Sequence, residues 1–274
     1  MMFGQGKDKS KKMNILEKIV DYKRAEVARR KEEMPVAMLE MSAFFPRPTL
    51  SLREFLTDPL KTGIIAEFKR RSPSRGMING EADVEKVTTG YTRSGASCLS
   101  VLTDEHFFGG SSQDLEKARV NEVPILRKDF MIDEYQILEA KAIGADVILL
   151  IAACLTPAGV RSLALFARSL GLEVLLEIHN EEELGHICEE TGLVGVNNRD
   201  LKTFTVDVER SVRLSKMIPA GKITVAESGI GKVETILHLR KSGFQGFLIG
   251  ENFMKEEDPA AAFEKFVKEL GSRK

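Results

Sequence analysis

After Lys61 the chain alternates short apolar runs with longer amphipathic segments, and this alternation restricts the fold more than any other feature. The eight apolar runs are GIIAEF, ASCLSVL, VPILRKDF, DVILLIAA, EVLLEIH, LVGVNNR, KITVAES and GFLIGEN. Several of the helical segments between them end in glycine, as helix C-caps commonly do. Eight such units over about 200 residues predict an α/β fold, a (βα)8 TIM barrel. An open doubly wound sheet is the alternative, but the loop RRSPSRG has no G-x-G-x-x-G fingerprint.

Two helical segments precede the alternation. The segment NILEKIVDYKRAEVARRKEEM places Ile15, Ile19 and Val27 at helical spacing and stops before Pro35, and the shorter VAMLEMSAFF follows. The first twelve residues are polar and lysine-rich, so we expect a disordered extension there. We therefore predict a disordered segment at 1–12 and one barrel domain at 13–274, with additional N-terminal helices over about 13–60.

The composition excludes several classes of protein. Charged residues make up 30% of the 274 residues and leave a formal net charge of -1, which argues against a nucleic-acid partner. No apolar run approaches the roughly 20 residues that span a bilayer, so we expect no membrane association and no export. Three cysteines in apolar stretches cannot all pair, which favours reduced thiols in a cytoplasmic protein.

Polar side chains stand at the carboxyl ends of five predicted strands, on the face that each strand's alternating apolar residues share. They are Glu67 and Lys69, Lys128, Glu177, Asn197 and Arg199, and Glu227. Barrel enzymes build their active sites at this end. A structural network of neutralising charges is the alternative for any one residue. Five strands contributing at one end favour an active site.

The loops after the last two strands predict a phosphate site. Strand seven ends in AESGIG and strand eight in IGENF, the positions where this fold commonly binds phosphate. Glycine lets backbone N–H groups approach an anion closely. The predicted contacts are Ser228, Gly229, Gly250 and Glu251, joined by Ser72 because strand one neighbours strand eight. The alternative, that the glycines are ordinary turn residues, is weaker for both together.

Six longer motifs now carry a specific resemblance. IIAEFKRRSPSRG, SVLTDEHFFGGS, PILRKDFMIDEYQI, EVLLEIHNEEEL, VNNRDLKTFTVD and AESGI together resemble the indole-3-glycerol phosphate synthase family of tryptophan biosynthesis. The likeness runs from about Asn14 to the carboxyl end. It implies a substrate, 1-(2-carboxyphenylamino)-1-deoxyribulose 5-phosphate, and a ring closure that releases carbon dioxide and water, a carbon–carbon lyase reaction.

The resemblance also implies roles for the charged residues. Lys128 corresponds to the general acid that protonates the ketone during ring closure. Lys69 is expected to pair with the substrate carboxylate and to share proton delivery. Glu177 is expected to act as the base for dehydration or as its partner, while Glu67 orients the lysines. Which lysine donates which proton stays open.

The remaining site residues are expected to bind substrate. Asn197 and Glu227 correspond to positions that hydrogen-bond substrate hydroxyls or the anilino region, and Arg199 is expected to brace the carboxylates. The aromatic ring is expected to pack against an apolar wall of Phe107, Phe108 and Phe130. His106 and His179 lie beside motif residues, but the family motif does not require them, and we expect them at the surface.

We expect no metal, no organic cofactor and no obligatory protein partner, because no cluster has metal-ligand spacing and nothing in the sequence indicates the others. Two alternatives remain. A phosphoribosyl isomerase would share the phosphate loops but would not need a second cation for a departing carboxylate, so the pair Lys69 and Lys128 favours the synthase. A silent sugar-phosphate-binding barrel should have lost one of Lys69, Lys128 or Glu177, and all three are present.

Overall fold

The predicted barrel is confirmed in the computed structural model, which describes residues 13–200, 203 and 205–273. Eight parallel strands close in chain order, with the first hydrogen-bonded to the last. They are β1 (Ile64–Phe68), β2 (Cys98–Leu102), β3 (Ile125–Lys128), β4 (Val147–Ile151), β5 (Glu173–Ile178), β6 (Leu193–Asn197), β7 (Ile223–Glu227) and β8 (Gly246–Ile249). Each strand lies within one of the eight apolar runs. The expected extension at 1–12 falls outside the described residues.

Helices surround the barrel and extend it at the amino terminus. The described helices are α1 (Ile15–Glu33), α2 (Val36–Glu40), α3 (Leu52–Thr57), α4 (Val84–Arg93), α5 (Glu105–Phe108), α6 (Ser112–Ala118), α7 (Glu134–Ala142), α8 (Pro157–Ser169), α9 (Val208–Ser215), α10 (Val233–Lys241), α11 (Glu251–Met254) and α12 (Pro259–Ser272). Short 3₁₀ helices span Ala152–Cys154 and Glu181–His186, and a small hairpin pairs Arg71–Ser72 with Gly76–Met77. None of the described helices is long and apolar enough to cross a membrane.

Strand alternation divides the core into two layers. Side chains such as Ile65, Leu126 and Val225 pack together inside the barrel, whereas Ala66 and Ile125 pack outward against the helices. This is the alternation expected of barrel strands buried on both faces. It places every second residue at a strand's carboxyl end toward the barrel mouth.

The N-terminal helices cover the two ends of the barrel. Helix α1 begins at a capping box formed by Asn14 and Glu17, and the apolar residues of its first two turns pack against the interior of the barrel. Helix α3, which the sequence analysis did not predict, packs Leu52 and Leu56 into the same interior cluster. Ser51 caps α3 by accepting a hydrogen bond from the Glu54 amide, so the S-x-x-E pattern was an available signal.

Candidate active site

A cavity of about 490 Å³ opens at the carboxyl ends of the strands. Fourteen of the fifteen residues predicted for the site line it. They are Glu67, Lys69, Ser72, Phe108, Lys128, Phe130, Glu177, Asn197, Arg199, Glu227, Ser228, Gly229, Gly250 and Glu251. The fifteenth, Phe107, lies outside the lining and packs against Tyr22 of α1 and its own neighbour His106.

Helix α1 forms one wall of this cavity through Ile15, Leu16 and Ile19. A buried lysine fixes the helix to the barrel: Lys23 Nζ lies 2.8 Å from Asp129 Oδ1 and also contacts Asp104 and Glu26. Asp129 directly follows Lys128, so this ion pair holds α1 next to a predicted catalytic residue. The sequence analysis missed this ion cluster, because its partners are far apart in the chain.

Two lysines converge on the Glu67 carboxylate. Lys69 Nζ donates to Glu67 Oε1 at 2.6 Å, and Lys128 Nζ lies 3.6 Å from Oε2. Burial alone would raise the pKa of Glu67, but the two ammonium groups outweigh burial and hold that pKa below its usual range. Burial alone would lower the pKa of Lys128, but the carboxyl groups of Glu67, Glu227 and Glu177 raise it. Lys128 is therefore cationic at neutral pH, and both lysines reach the cavity.

Glu227, at the end of β7, has a different environment. Its carboxylate lies 3.6 Å from Lys128 Nζ, but both of its oxygens lack a hydrogen-bond partner among the described residues. Burial and the nearby Glu177 raise the pKa of Glu227 to about 8. Glycine at position 195 makes room for it, since a Cβ there would lie 2.0 Å from Glu227 Oε1. A protonated carboxyl group at this position can donate a hydrogen bond.

Glu177 is held ionised by its neighbours. Asn197 Nδ2 donates to its Oε1 at 2.9 Å, and His179 Nε2 lies 2.9 Å from the same oxygen. Burial would raise the pKa of Glu177, but His179, Lys128 and Asn197 together lower it to about 2. His179 is buried, so the expectation that it lies at the surface is wrong. Its position two residues after Glu177, on the same strand face, was the signal.

The two predicted phosphate loops lie together at one end of the cavity. Ser228 has a left-handed backbone (φ 68°), an uncommon conformation for a residue other than glycine, and its carbonyl accepts a 2.8 Å hydrogen bond from Asn198 Nδ2. Gly229 is also left-handed, at φ 70°. A Cβ at Gly250 would lie 2.6 Å from Glu67 Oε1. The packing of Glu67 therefore requires glycine at position 250.

Arginines flank this end of the cavity. Arg75 Nε lies 2.9 Å from Glu251 Oε1, and Arg199 Nη2 lies 3.5 Å from its Oε2. Arg199 also donates to Ser74 Oγ at 3.4 Å. Arg199 thus pairs with a carboxylate at the cavity rim rather than with the buried Glu177 or Glu227. The loop after β1 is joined to the loops after β6 and β8.

An apolar wall completes the cavity. The rings of Phe108 and Phe130 lie 5.9 Å apart, and both line the cavity with Leu149 and Ile151. His106 is exposed and stacks on Tyr22, as expected for a surface histidine. Across the described ranges, no three His, Cys, Asp or Glu side chains are grouped so as to hold a metal ion. The cavity therefore combines two lysine side chains, an ionised Glu177, a Glu227 with a raised pKa and an aromatic surface.

Solved structures of low sequence identity share this fold. A thiamine phosphate pyrophosphorylase from Pyrococcus furiosus aligns with a TM-score of 0.57 at 17% identity, over 80% of this chain and 99% of that one. A mutant tryptophan synthase alpha-subunit from the same organism gives a TM-score of 0.58 at 17% identity, over 78% and 99%. At such identity the likeness supports the barrel alone.

Sequence comparisons are more specific. The family model for indole-3-glycerol phosphate synthase matches residues 16–266. The protein of that name from Bacteroides thetaiotaomicron is 47% identical over 258 residues, 94% of this chain and 99% of the relative. The Bordetella pertussis protein of that name is 42% identical over 259 residues, 93% and 99%. Together with the cavity described above, these matches establish that the chain belongs to the indole-3-glycerol phosphate synthase family of carboxy-lyases.

Proposed function

We propose that the cavity converts 1-(2-carboxyphenylamino)-1-deoxyribulose 5-phosphate to indole-3-glycerol phosphate, with Lys128 as the general acid, Lys69 as the partner of the substrate carboxylate and Glu177 as the base. The observation that carries this proposal is the convergence of two ammonium groups on Glu67 in a cavity that also holds an ionised Glu177. Ring closure with decarboxylation needs both cations, one for the ketone and one for the carboxylate.

We infer an order of proton transfers that these positions support. The aromatic carbon attacks the ketone while Lys128 protonates the oxygen, which becomes a hydroxyl group. The C–C bond to the carboxylate then breaks, carbon dioxide leaves, and its electron pair restores the ring. In the dehydration, Glu177 removes a proton from the closed ring and Lys69 protonates the departing hydroxyl group. One proton is consumed overall, with carbon dioxide and water as co-products.

Glu67 serves both lysines because its carboxylate contacts both ammonium groups. Because its two oxygens each face one ammonium group, Glu67 compensates their mutual repulsion in a buried site. Asn197 and a protonated Glu227 hydrogen-bond the substrate's hydroxyl or anilino groups. This role fits the raised pKa of Glu227, about 8, because a neutral carboxyl group donates where a carboxylate only accepts.

The substrate's two ends bind at opposite sides of the cavity. The phosphate lies against the loops that contain Ser228, Gly229 and Gly250, where Ser72 adds a hydroxyl group. These loops are adjacent, since a Cβ at Gly231 would lie 3.4 Å from Asn252 Oδ1. The aromatic ring of the substrate packs on the apolar wall of Phe108 and Phe130, which suits an apolar ring with polar substituents.

We further propose that residues 13–274 act as one domain in the cytoplasm without an obligatory partner. Helix α1 supplies three cavity residues and is fixed by the buried Lys23 cluster, so the barrel mouth and the helix form one site. All three cysteines are unpaired, as is usual in a reducing compartment.

Steady-state turnover of the named substrate tests this proposal. The chain contains no tryptophan, so indole fluorescence that appears during the reaction reports product directly. We expect Lys128→Ala to lower kcat by about 10² to 10⁴ while the substrate still binds. Lys216→Ala, which changes an exposed lysine outside the cavity, is the matched control. If Lys128→Ala kept near wild-type turnover, Lys128 would not be the general acid. If the wild-type protein isomerised its substrate without releasing carbon dioxide, the proposed reaction would be wrong.

A further inference from the structure

We propose that His179 is a positioning residue for the reaction: held by Glu183, its imidazolium binds one carboxylate oxygen of Glu177 and keeps that carboxylate ionised, so that the other oxygen accepts the proton. This inference rests on the base role proposed above for Glu177. It concerns a residue that lies behind the cavity wall, because His179 is absent from the cavity lining.

The histidine is fixed between two carboxylates. His179 is 6% exposed, its Nε2 lies 2.9 Å from Glu177 Oε1, and its Nδ1 lies 3.2 Å from Glu183 Oε2. The His179 backbone N–H donates to the same Glu183 oxygen at 2.7 Å. Asn180 Nδ2 donates to Glu183 Oε1 at 3.2 Å. Both oxygens of Glu183 are therefore occupied, and the ring orientation is set by a carboxylate that is itself held in place.

The contacts distinguish the two oxygens of Glu177. His179 Nε2 and Asn197 Nδ2 both lie 2.9 Å from Oε1. Proton acceptance therefore falls to Oε2, the oxygen that neither group contacts. Fixing one oxygen of Glu177 orients the other toward the proton that it removes, and small misplacements at a reacting centre lower the rate strongly.

The charges around Glu177 make the histidine necessary. The other titratable groups that face Glu177 and His179 are Lys128 from β3, Cys154 from the first 3₁₀ helix, Glu183 from the second, and Glu227 from β7, with Glu67 beyond Lys128. Lys128 lies 3.6 Å from carboxylate oxygens of both Glu67 and Glu227, so its charge is shared with two other carboxyl groups, whereas His179 contacts Glu177 directly.

The protonation of the histidine agrees with this geometry. Burial would lower the pKa of His179, but the contacts with Glu177 and Glu183 raise it to about 10. The imidazolium therefore persists through neutral pH and is lost only as the pH rises through about 10. Losing it should raise the pKa of Glu177, because an opposite charge within hydrogen-bond distance has been removed.

The first test is the pH dependence of kcat in His179→Gln. Glutamine keeps a hydrogen-bond donor but removes the charge, so we expect the acid limb of the kcat profile to move upward by about 1 to 3 pH units, with recovery at higher pH and little change in KM. Glu183→Gln should move the limb in the same direction by less. His238→Gln is the matched control, since His238 pairs with Glu209 in an exposed position outside the site.

The positioning role would be refuted if His179→Gln lowered kcat by the same factor at every pH, or if the acid limb of its kcat profile stayed at the wild-type pH. If His179→Gln does not fold, by circular dichroism, Glu183→Gln carries the same test. A second measurement needs no catalysis: ¹⁵N spectra of the histidine rings should show an imidazolium signal above pH 8 that is absent in His179→Gln. A neutral His179 at that pH would refute the inference, whereas absent product formation with the wild-type protein would refute the proposed function instead.

Discussion

Adding one methyl group at Gly195 should disable the site without touching any charged residue. In Gly195→Ala the new Cβ would lie 2.0 Å from Glu227 Oε1 and 3.1 Å from its carboxyl carbon. Glu227 is 1% exposed, so its carboxyl group has little free space and must move by more than about 1 Å to reach an ordinary contact distance. Lys128, 3.6 Å from Glu227, has to adjust with it.

Two magnitudes follow from this collision. Inserting a methyl group into a packed interior typically costs about 1 to 3 kcal/mol in the free energy of unfolding, and a displacement of about 1 Å at a reacting centre can cost about 10²-fold in rate. Urea unfolding and the fluorescence assay measure the two effects. Gly271→Ala is the control, because nothing lies within 4 Å of a Cβ at that helical position.

A double-mutant cycle gives the decisive comparison. When Glu227→Ala has removed the carboxyl group, Gly195→Ala should destabilise the protein much less, because the atom that the methyl group strikes is gone. Equal destabilisation in both backgrounds would refute this reasoning. So would a Gly195→Ala enzyme with wild-type kcat, since it would show that the position of Glu227 does not matter to the reaction.

Two further predictions concern buried charges. Lys23→Met should lower the free energy of unfolding by about 3 to 5 kcal/mol, because it removes the buried cation that Asp104 and Asp129 share. Lys268→Met, which breaks an exposed pair, should change the free energy of unfolding by less than about 1 kcal/mol, and similar urea midpoints for the two variants would contradict this. The raised pKa of Glu227 means that its carboxyl group is harder to ionise in the folded protein than in the unfolded chain. As the pH rises from about 4.5 to about 8, the free energy of unfolding of the wild-type protein should therefore fall relative to that of Glu227→Gln. Parallel curves of unfolding free energy against pH would contradict this prediction.

The barrel and most of the site were predictable because both depend on local periodicity. Strands buried on two faces give continuous apolar runs, and a polar residue that breaks such a run at its carboxyl end must lie at the barrel mouth. Glu67, Lys128 and Glu177 were identified in this way and line one cavity. The placement of Phe108 and not Phe107 beside that cavity could not be read locally, because it depends on packing against α1.

The burial of His179 was not predicted, for a different reason. His179 follows β5 directly and lies two residues after Glu177, so strand periodicity would place both on one face, yet a lone histidine near a loop is more often exposed. Its burial depends on Glu183, which folds back across one 3₁₀ turn to meet the ring. The Lys23 cluster was equally hidden, since it joins α1 to Asp104 and Asp129 across 81 and 106 positions of sequence.

Glu177 and Glu227 show why the division of acid and base cannot be read from residue types. Both are glutamates that close an apolar strand, and both are nearly fully buried. The strand register sets Asn197 beside Glu227 and Gly195 beside Glu177, but the Asn197 amide turns to Glu177. Glu177 thereby gains a donor and an imidazolium, whereas Glu227 gains neither. One carboxyl group is ionised and the other protonated near neutral pH because their neighbours differ, and a synthase that must both accept and donate hydrogen bonds in one cavity depends on that difference.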